Sequence, residues 1–212
     1  MIPEQSVDYI LVQQSGGRTF YEEFASRPAW HGGPAGITIG IGYDLGQIDA
    51  PRLTRDWNGL LTPETLGRLV PAIGLRGDDA AGHYRLQGLT RQLRDVVIPW
   101  TAATQVFREV TVPALEAQVL AAFPGAAGLP PLCVGALVSL VYSRGLSLAG
   151  PNRVEMLRIR SLIQAGRPEE VPDQFRAMMR LWPRLPGLQK RRVAEAEMFQ
   201  QGLEAHGTAA VA

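Results

Sequence analysis

Glycines alternate with polar and β-branched residues in the segment Gly36–Gly46, which reads Gly-Ile-Thr-Ile-Gly-Ile-Gly-Tyr-Asp-Leu-Gly. Thr38 contributes a hydroxyl group that could orient water, and Asp44 contributes a carboxylate that could act in acid–base chemistry. The alternation predicts a short strand, and glycine weakens a strand unless something approaches its backbone closely. We expect a ligand to be the reason for these glycines. The alternative is a glycine-rich hairpin edge without a function.

The strand must be positioned by helices, because the rest of the sequence has helical patterns. Ser6 can cap a first helix that runs to about Ser15 and is stopped by Gly16-Gly17, which places Gln14 in its last turn. The apolar run Pro131–Tyr142 predicts a helix buried at the centre of the domain. Further helices are predicted over about 51–60, 62–73, 101–123 with a break near Pro113, 152–164, 168–182 and 188–203, with two short ones within 78–97.

Composition and charge exclude several classes of protein. The chain has 212 residues, 46% of them apolar, which is enough for a sizeable core. A net charge of +1 without a basic run argues against a nucleic-acid partner. No apolar stretch reaches the roughly 20 residues that span a bilayer, and the start of the chain lacks signal-peptide features. The single cysteine, Cys133, forms no intrachain disulfide, and three scattered histidines predict no metal site.

Four segments, in the same order, resemble the phage-type lysozyme family, which consists of helical muramidases with a small glycine-rich β-hairpin lobe. They are Gln14–Glu23, Gly36–Gly46, Ala136–Gly145 and Gly187–Glu195. The family carries a catalytic Glu at the end of its first helix, a Thr-Ile-Gly-x-Gly strand, a core helix ending in aromatic-Asn-x-Gly, and a Gly-Leu-x-x-Arg-Arg-x-x-Glu signature. A bacterial and phage branch of the family is the most similar, and its motifs fit Trp30–Gly46 and Met179–Trp182.

The resemblance implies a mainly α, lysozyme-like α+β fold, a helical bundle around a buried central helix with a small β-lobe at about residues 30–48. It implies one domain over residues 1–206, followed by a disordered tail at 207–212. The implied activity is that of a peptidoglycan hydrolase, a muramidase that cleaves the β-1,4 bond between N-acetylmuramic acid and N-acetylglucosamine. No cofactor and no metal are expected.

Position 14 departs from the family pattern. Alignment on Tyr21 places Gln14 where the family has its catalytic Glu, and Ser143 stands where Asn is usual. Hydrolysis of a glycoside requires a carboxylic acid that protonates the departing oxygen, and an amide cannot do this. We therefore expect little activity from the chain as written. Three explanations stay open: an engineered Glu-to-Gln change, a natural pseudoenzyme, or an alignment error in which Glu22 or Glu23 is the true acid.

The resemblance also indicates the other site residues. Glu23 and Asp44 are the candidates for the second catalytic group, and Thr38 with nearby backbone amides would hold water or substrate. A solvated helical face is the simpler interpretation for one of Glu22 and Glu23. The expected substrate-binding residues are Tyr21, Trp30, Gly40, Gly42, Tyr43 and Ser143.

Two basic residues near the end of the chain, Arg191 and Arg192, lie about one helical turn before Glu195. Pairs at this spacing stabilise a helix by about 0.2–0.5 kcal/mol each. We expect a mainly structural role for them, in which they brace the substrate cleft.

The expected partner is the glycan strand of peptidoglycan, and an immunity protein or a phage or secretion apparatus are further partners. The protein is expected to be made in the cytoplasm without a signal peptide, and to act in the periplasm or on the cell wall after phage-type release or injection. Two alternatives belong to another functional class. One is a catalytically dead pseudoenzyme that binds peptidoglycan, and the other is a structural module of a phage or delivery particle.

Overall fold

The computed structural model describes residues 1–85 and 88–209. This part of the chain is mainly helical and contains a small antiparallel sheet, so the mainly α fold class is confirmed. The α-helices are α1 Glu4–Ser15, α2 Arg18–Phe20, α3 Ala50–Trp57, α4 Pro63–Leu69, α5 Gly77–Arg85, α6 Leu89–Leu93, α7 Trp100–Val106, α8 Val112–Ala122, α9 Pro131–Arg144, α10 Val154–Gln164, α11 Val171–Ala177 and α12 Pro186–Ala209. The strands are β1 Ala29–Trp30, β2 Ile37–Ile39 and β3 Tyr43–Asp44. The lysozyme-like arrangement stays a prediction.

Two compact units make up the chain. The sheet unit is Leu11–Thr111, and the helical unit combines Met1–Ile10 with the chain from Val112 onward. Helix α1 contributes its first part to the helical unit and its last part to the sheet unit. The single domain expected over residues 1–206 stays a prediction.

The sheet unit contains the three short strands in the order β1-β2-β3. Ile37 and Ile39 of β2 are buried in the core, whereas Thr38 between them is half-buried, as the alternation of side chains along a strand requires. Gly40 and Gly42 form the turn that follows, with φ of 54° and 72°. The segment Gly36–Gly46 is therefore two short strands joined by a turn, and not one strand, because its central glycines adopt turn conformations.

Helix α9 forms the core of the helical unit, as the sequence predicts. Every residue from Cys133 to Val141 is buried. Two glycines let neighbouring helices approach closely: a Cβ on Gly135 would lie 2.2 Å from Ser6 Oγ in α1, and one on Gly202 in α12 would lie 2.7 Å from Cys133 Sγ. The Cys133 thiol donates a hydrogen bond to the carbonyl of Phe199 at 3.2 Å.

Several helix boundaries have local causes. Thr62 caps α4 by accepting a hydrogen bond from the Thr65 N–H at 3.2 Å, as its place before Pro63 predicts. The break expected near Pro113 is a π-helical segment, Phe107–Thr111, because proline lacks the N–H that continues an α-helical ladder.

The last helix is longer than expected. Helix α12 continues to Ala209, so residues 207–209 are helical and are not part of a disordered tail; residues 210–212 lie outside the described residues. Among the helices of the described chain, none has both the length and the apolar character that a membrane span requires.

Candidate functional site

The end of α1 positions Gln14, which is half-buried in the last turn of the helix. The helix stops here because Gly16 and Gly17 have φ of 70° and 87°. The Ser15 hydroxyl secures this end by donating to the Leu11 carbonyl at 2.7 Å and accepting from the Gly17 N–H at 3.1 Å. The side chain at position 14 therefore stands on a well-defined helix end.

Two neighbouring glutamates follow on the π-helical segment Tyr21–Ala25. Glu22 forms an exposed ion pair with Arg18 at 2.8 Å, as expected for a solvated helical face. Glu23 is exposed and has no hydrogen bond or ion pair with any described residue. Single π-helical turns are frequent at functional sites. Of the two glutamates, Glu23 is the one whose carboxylate is open to a ligand.

Asp44 is a structural residue of the glycine-rich segment. Its Oδ1 accepts hydrogen bonds from the N–H groups of Gly36 at 3.1 Å and Gly46 at 2.8 Å, and its Oδ2 accepts one from Gln47 Nε2 at 2.9 Å. These bonds cap the 3₁₀ turn Leu45–Gln47. Asp44 therefore supports the hairpin, and the catalytic role expected from the sequence stays a prediction.

Close packing and turn geometry within the chain explain why glycines occur in this segment. A Cβ on Gly36 would lie 2.5 Å from Asp44 Oδ1 and 2.6 Å from Gly46 Cα, so neither neighbour leaves room for a side chain. Gly40 has a positive φ, and a Cβ there would lie 2.9 Å from the Trp57 ring. Gly42 also needs its positive φ for the turn. Close packing and turn geometry thus account for these glycines without a ligand, and the substrate-binding roles of Gly40 and Gly42 stay predictions.

Thr38 is the polar residue that this sheet offers on its more accessible face. It is half-buried and stands opposite Ala29 in β1 and Asp44 in β3. Directly paired residues of antiparallel strands point to the same face, so Thr38 and Asp44 share that face while the isoleucines of β2 face the core. The geometry leaves Thr38 as the strand residue that could orient water.

Tyr21 and Tyr43 are core residues and do not present their rings to a substrate. Tyr21 is 1% exposed and donates its hydroxyl to the Ile98 carbonyl at 3.0 Å; Tyr43 is 5% exposed and donates to Asp56 Oδ2 at 2.8 Å. Burial raises the pKa of both phenols well above their ordinary value. Their expected substrate-binding roles are therefore corrected to packing roles.

One face of the Trp30 ring is in contact with an arginine side chain. Its indole N–H donates to the Ala35 carbonyl at 3.1 Å, and the Arg85 guanidinium carbon lies 4.9 Å from the ring centroid. The residue is half-buried, so a sugar could reach only the part of the ring that Arg85 does not cover.

Two exposed aromatic residues beside Glu23 were missed in the sequence. Phe20 and Phe24 are 51% and 66% exposed, and their ring centroids are 5.1 Å apart. Their spacing of four residues is the signal that places both on one helical face. Aromatic rings beside a free carboxylate form a surface on which a sugar ring could stack.

Ser143 lies in the helical unit at the end of α9. Its hydroxyl donates to the Leu140 carbonyl at 3.0 Å and accepts from Arg192 Nη2 at 2.8 Å. Ser143 thus contacts the C-terminal arginine pair, and its predicted contact with substrate stays a prediction.

The C-terminal arginine pair is buried, which the sequence spacing alone did not predict. Arg191, Arg192 and Glu195 are 6%, 1% and 0% exposed, and Glu195 Oε1 accepts from both guanidinium groups, at 3.2 Å and 2.8 Å, and from the Ser139 hydroxyl at 2.6 Å. Burial raises the pKa of Glu195, and the two arginines and the hydroxyl oppose that rise. The few tenths of a kcal/mol expected for exposed pairs do not apply to this cluster, because breaking a buried ion pair leaves an uncompensated charge.

Within residues 1–85 and 88–209, no group of three or more His, Cys, Asp or Glu side chains is arranged to hold a metal ion. A search with models of known protein families found no match to this chain, and a comparison with curated protein sequences found none either.

Proposed function

We propose that the chain is a peptidoglycan hydrolase of the muramidase type in which Gln14 occupies the position of the catalytic acid. The substrate is the glycan strand, and the bond is the β-1,4 linkage between N-acetylmuramic acid and N-acetylglucosamine. The observation that carries the proposal is that one compact unit holds three groups suited to this chemistry. They are Gln14 at a fixed helix end, the open carboxylate of Glu23, and the hydroxyl of Thr38.

The roles follow from the requirements of glycoside hydrolysis. An acid at position 14 would protonate the leaving oxygen, which the amide of Gln14 cannot do. Glu23 is the group left for the opposite role, because the Asp44 carboxylate is bound by two backbone N–H groups and by Gln47. Thr38 would hold the attacking water, and Phe20 with Phe24 would support a sugar ring. The chain as written is expected to bind glycan strands and to hydrolyse them poorly.

The test compares the chain with its Gln14→Glu variant on purified cell walls. Lysis is followed by the fall in turbidity, and the released sugar ends are identified by mass spectrometry. Gln13→Glu is the matched control, because it places the same new carboxylate on the exposed neighbouring position of the same helix. Lysis by the Gln14→Glu variant alone, with N-acetylmuramic acid at the new reducing ends, supports the proposal. Absence of lysis in both variants, with folding intact, rejects a muramidase with its acid at position 14.

A second function is favoured by Gln14 itself, which keeps the shape and hydrogen-bonding capacity of Glu without its acidic proton. This is a pseudoenzyme that binds peptidoglycan without cleaving it. Sedimentation with purified cell walls measures it. Binding by the chain together with no lysis by the Gln14→Glu variant would favour the pseudoenzyme over the enzyme, whereas absence of both would leave a structural module.

A further inference from the structure

An open cavity of about 510 Å³ lies within the helical unit. It is bordered by the end of α9, by the turn that precedes α10, and by the segment that ends at Trp182. Its polar lining includes Ser143, Arg144, Asn152 and Arg153. We call it the arginine pocket. It includes Ser143, a predicted substrate contact, but none of Gln14, Glu23 and Thr38, which lie in the sheet unit.

Arg144 lines the pocket with part of its hydrogen-bonding capacity unused. Its guanidinium carbon lies 4.8 Å from the centroid of the Trp182 ring, and its Nη2 donates to the Asn152 carbonyl. Its Nε is buried and has no hydrogen-bond partner among the described residues. A buried N–H of a charged group without an acceptor is unfavourable, so the position is suited to an incoming acceptor.

Arg192 adds a second cation behind the pocket. Its guanidinium carbon lies 5.8 Å from the same Trp182 ring, and its Nη2 donates to the pocket hydroxyl of Ser143 at 2.8 Å. Only 1% of this arginine side chain is exposed. Even so, its Nε and Nη1 atoms have no hydrogen-bond partner among the described residues. The hydroxyl that lines the pocket is therefore held by a buried positive charge.

The carboxylates around the pocket are already bound. Glu195 accepts from Arg191 and Arg192, and Glu155 accepts from Arg180 at 2.5 Å and 3.1 Å. Neither Arg144 nor Arg153 has an ion pair in the described part of the chain. The Nη1 of Arg153 donates only to the sulfur of Met156, at 3.3 Å, and thioether sulfur is a weak acceptor. The cluster thus contains more guanidinium groups than carboxylates.

Electrostatics within the cluster agrees with this imbalance. Burial, together with the charges of Arg153 and Arg192, lowers the pKa of Arg144 to about 10. An anion placed in the pocket would relieve that repulsion.

We infer that the arginine pocket is a binding site for a carboxylate ligand, of the class of a short peptide with a free C-terminus. The planar guanidinium of Arg144 would bind the carboxylate oxygens, because guanidinium groups match carboxylates in geometry as well as charge. The Ser143 hydroxyl would join it by turning its one proton from the Leu140 carbonyl to the ligand. The indole of Trp182 would contact the apolar atoms next to the carboxylate. The inference does not depend on the hydrolase activity proposed above.

The experiment titrates the full chain with acetyl-Ala-Ala, with the same dipeptide as its C-terminal amide, and with inorganic phosphate, and follows tryptophan fluorescence and calorimetric heat. Acetyl-Ala-Ala should bind saturably and about 10- to 100-fold more tightly than the amide, as expected for hydrogen bonds to a charged group. Equal affinity for the peptide and its amide would overturn the inference, as would tighter binding of phosphate than of the peptide.

Variants assign the binding to the pocket. Arg144→Gln should weaken binding of the peptide about 10-fold or more, whereas Arg158→Gln, which removes an exposed arginine on α10 of the same unit, should leave it unchanged. Arg153→Gln is the second pocket variant if Arg144→Gln does not fold by circular dichroism, and it should also weaken binding. Equal effects of the pocket and control variants would show a non-specific charge effect and reject the site.

Discussion

Asp44 stands directly opposite Thr38 across strands β2 and β3, and its carboxylate is bound by the N–H groups of Gly36 and Gly46. The two polar residues therefore share one face of the sheet but have different tasks. The carboxylate holds the hairpin closed, while the hydroxyl remains available on the half-buried face.

The capping role of Asp44 predicts a loss of stability when its carboxylate is removed. Asp44→Ala should lower the free energy of unfolding by about 1–3 kcal/mol, because two backbone N–H groups lose their acceptor. Asp49→Ala is the control, since Asp49 caps α3 at an exposed site through one N–H at 2.9 Å and should cost about 1 kcal/mol. Urea unfolding measures both. Asp44→Asn in the Gln14→Glu background should retain lysis, and loss of lysis with an intact fold would support a catalytic role for Asp44.

The two glutamates after α2 can be separated by activity. In the Gln14→Glu background, Glu23→Gln should reduce the rate of cell-wall lysis by about 100-fold or more, as expected when a group acting in acid–base catalysis is lost. Glu22→Gln should change the rate little, because Glu22 is engaged in an exposed ion pair with Arg18. Similar rates for the two variants would remove Glu23 from the proposed mechanism.

The buried ionic cluster predicts a large effect of Glu195. Glu195→Gln keeps the shape of the side chain but removes the buried negative charge that pairs with Arg191 and Arg192, so we expect a loss of about 3–5 kcal/mol in the free energy of unfolding. Glu197→Gln on the exposed face of α12 should change it by less than about 0.5 kcal/mol. Denaturant unfolding of the two variants compares them, and a loss below about 1 kcal/mol for Glu195→Gln would contradict the structural importance of the cluster.

The buried thiol of Cys133 predicts how the stability of the fold depends on pH. Burial raises the pKa of its thiol from 9.0 to about 12, so the folded state keeps the proton while the unfolded chain releases it above about pH 9. The stability of the unsubstituted chain relative to Cys133→Ala should be constant below pH 9. It should then fall by up to about 1.4 kcal/mol per pH unit between pH 9 and about 12. Unfolding in urea at several pH values measures this difference. A difference that rises across this range would contradict a buried, protonated thiol.

Local patterns predicted the parts of the fold that local rules control. The run Pro131–Tyr142 has few polar residues, which predicts a helix buried on all sides. Thr62-Pro63 predicts a helix start, because threonine is a good N-cap and proline fits the first helical position. The capping by Asp44 was also within reach, since an aspartate two residues before Gly46 has the spacing of an Asx turn. Local patterns do not explain the glycines around it, because the close approach of Gly36 and Gly46 joins positions ten residues apart and becomes visible only once the hairpin is formed.

The remaining differences depend on distant partners. Tyr21 is a core residue because the carbonyl that it binds belongs to Ile98, 77 residues later. The arginine pair is buried because Ser139, 52 residues before Arg191, lies against it. Helical spacing describes one helix at a time, so it cannot distinguish an exposed pair from one that another helix covers. The roles of Gln14, Glu23 and Thr38 rest on the resemblance and stay predictions.

The discontinuous helical unit has a consequence for the order in which the molecule can be built. Ser6 contacts the sulfur of Met198, 192 positions further along the chain, while residues 11–111 form a separate compact unit between them. During synthesis residues 1–10 therefore meet their partners in the helical unit only after residues 11–111 have been made, and the intervening unit can fold before that contact forms. Closure of such a long loop is slow, so folding of the helical unit should be limited by the docking of residues 1–10.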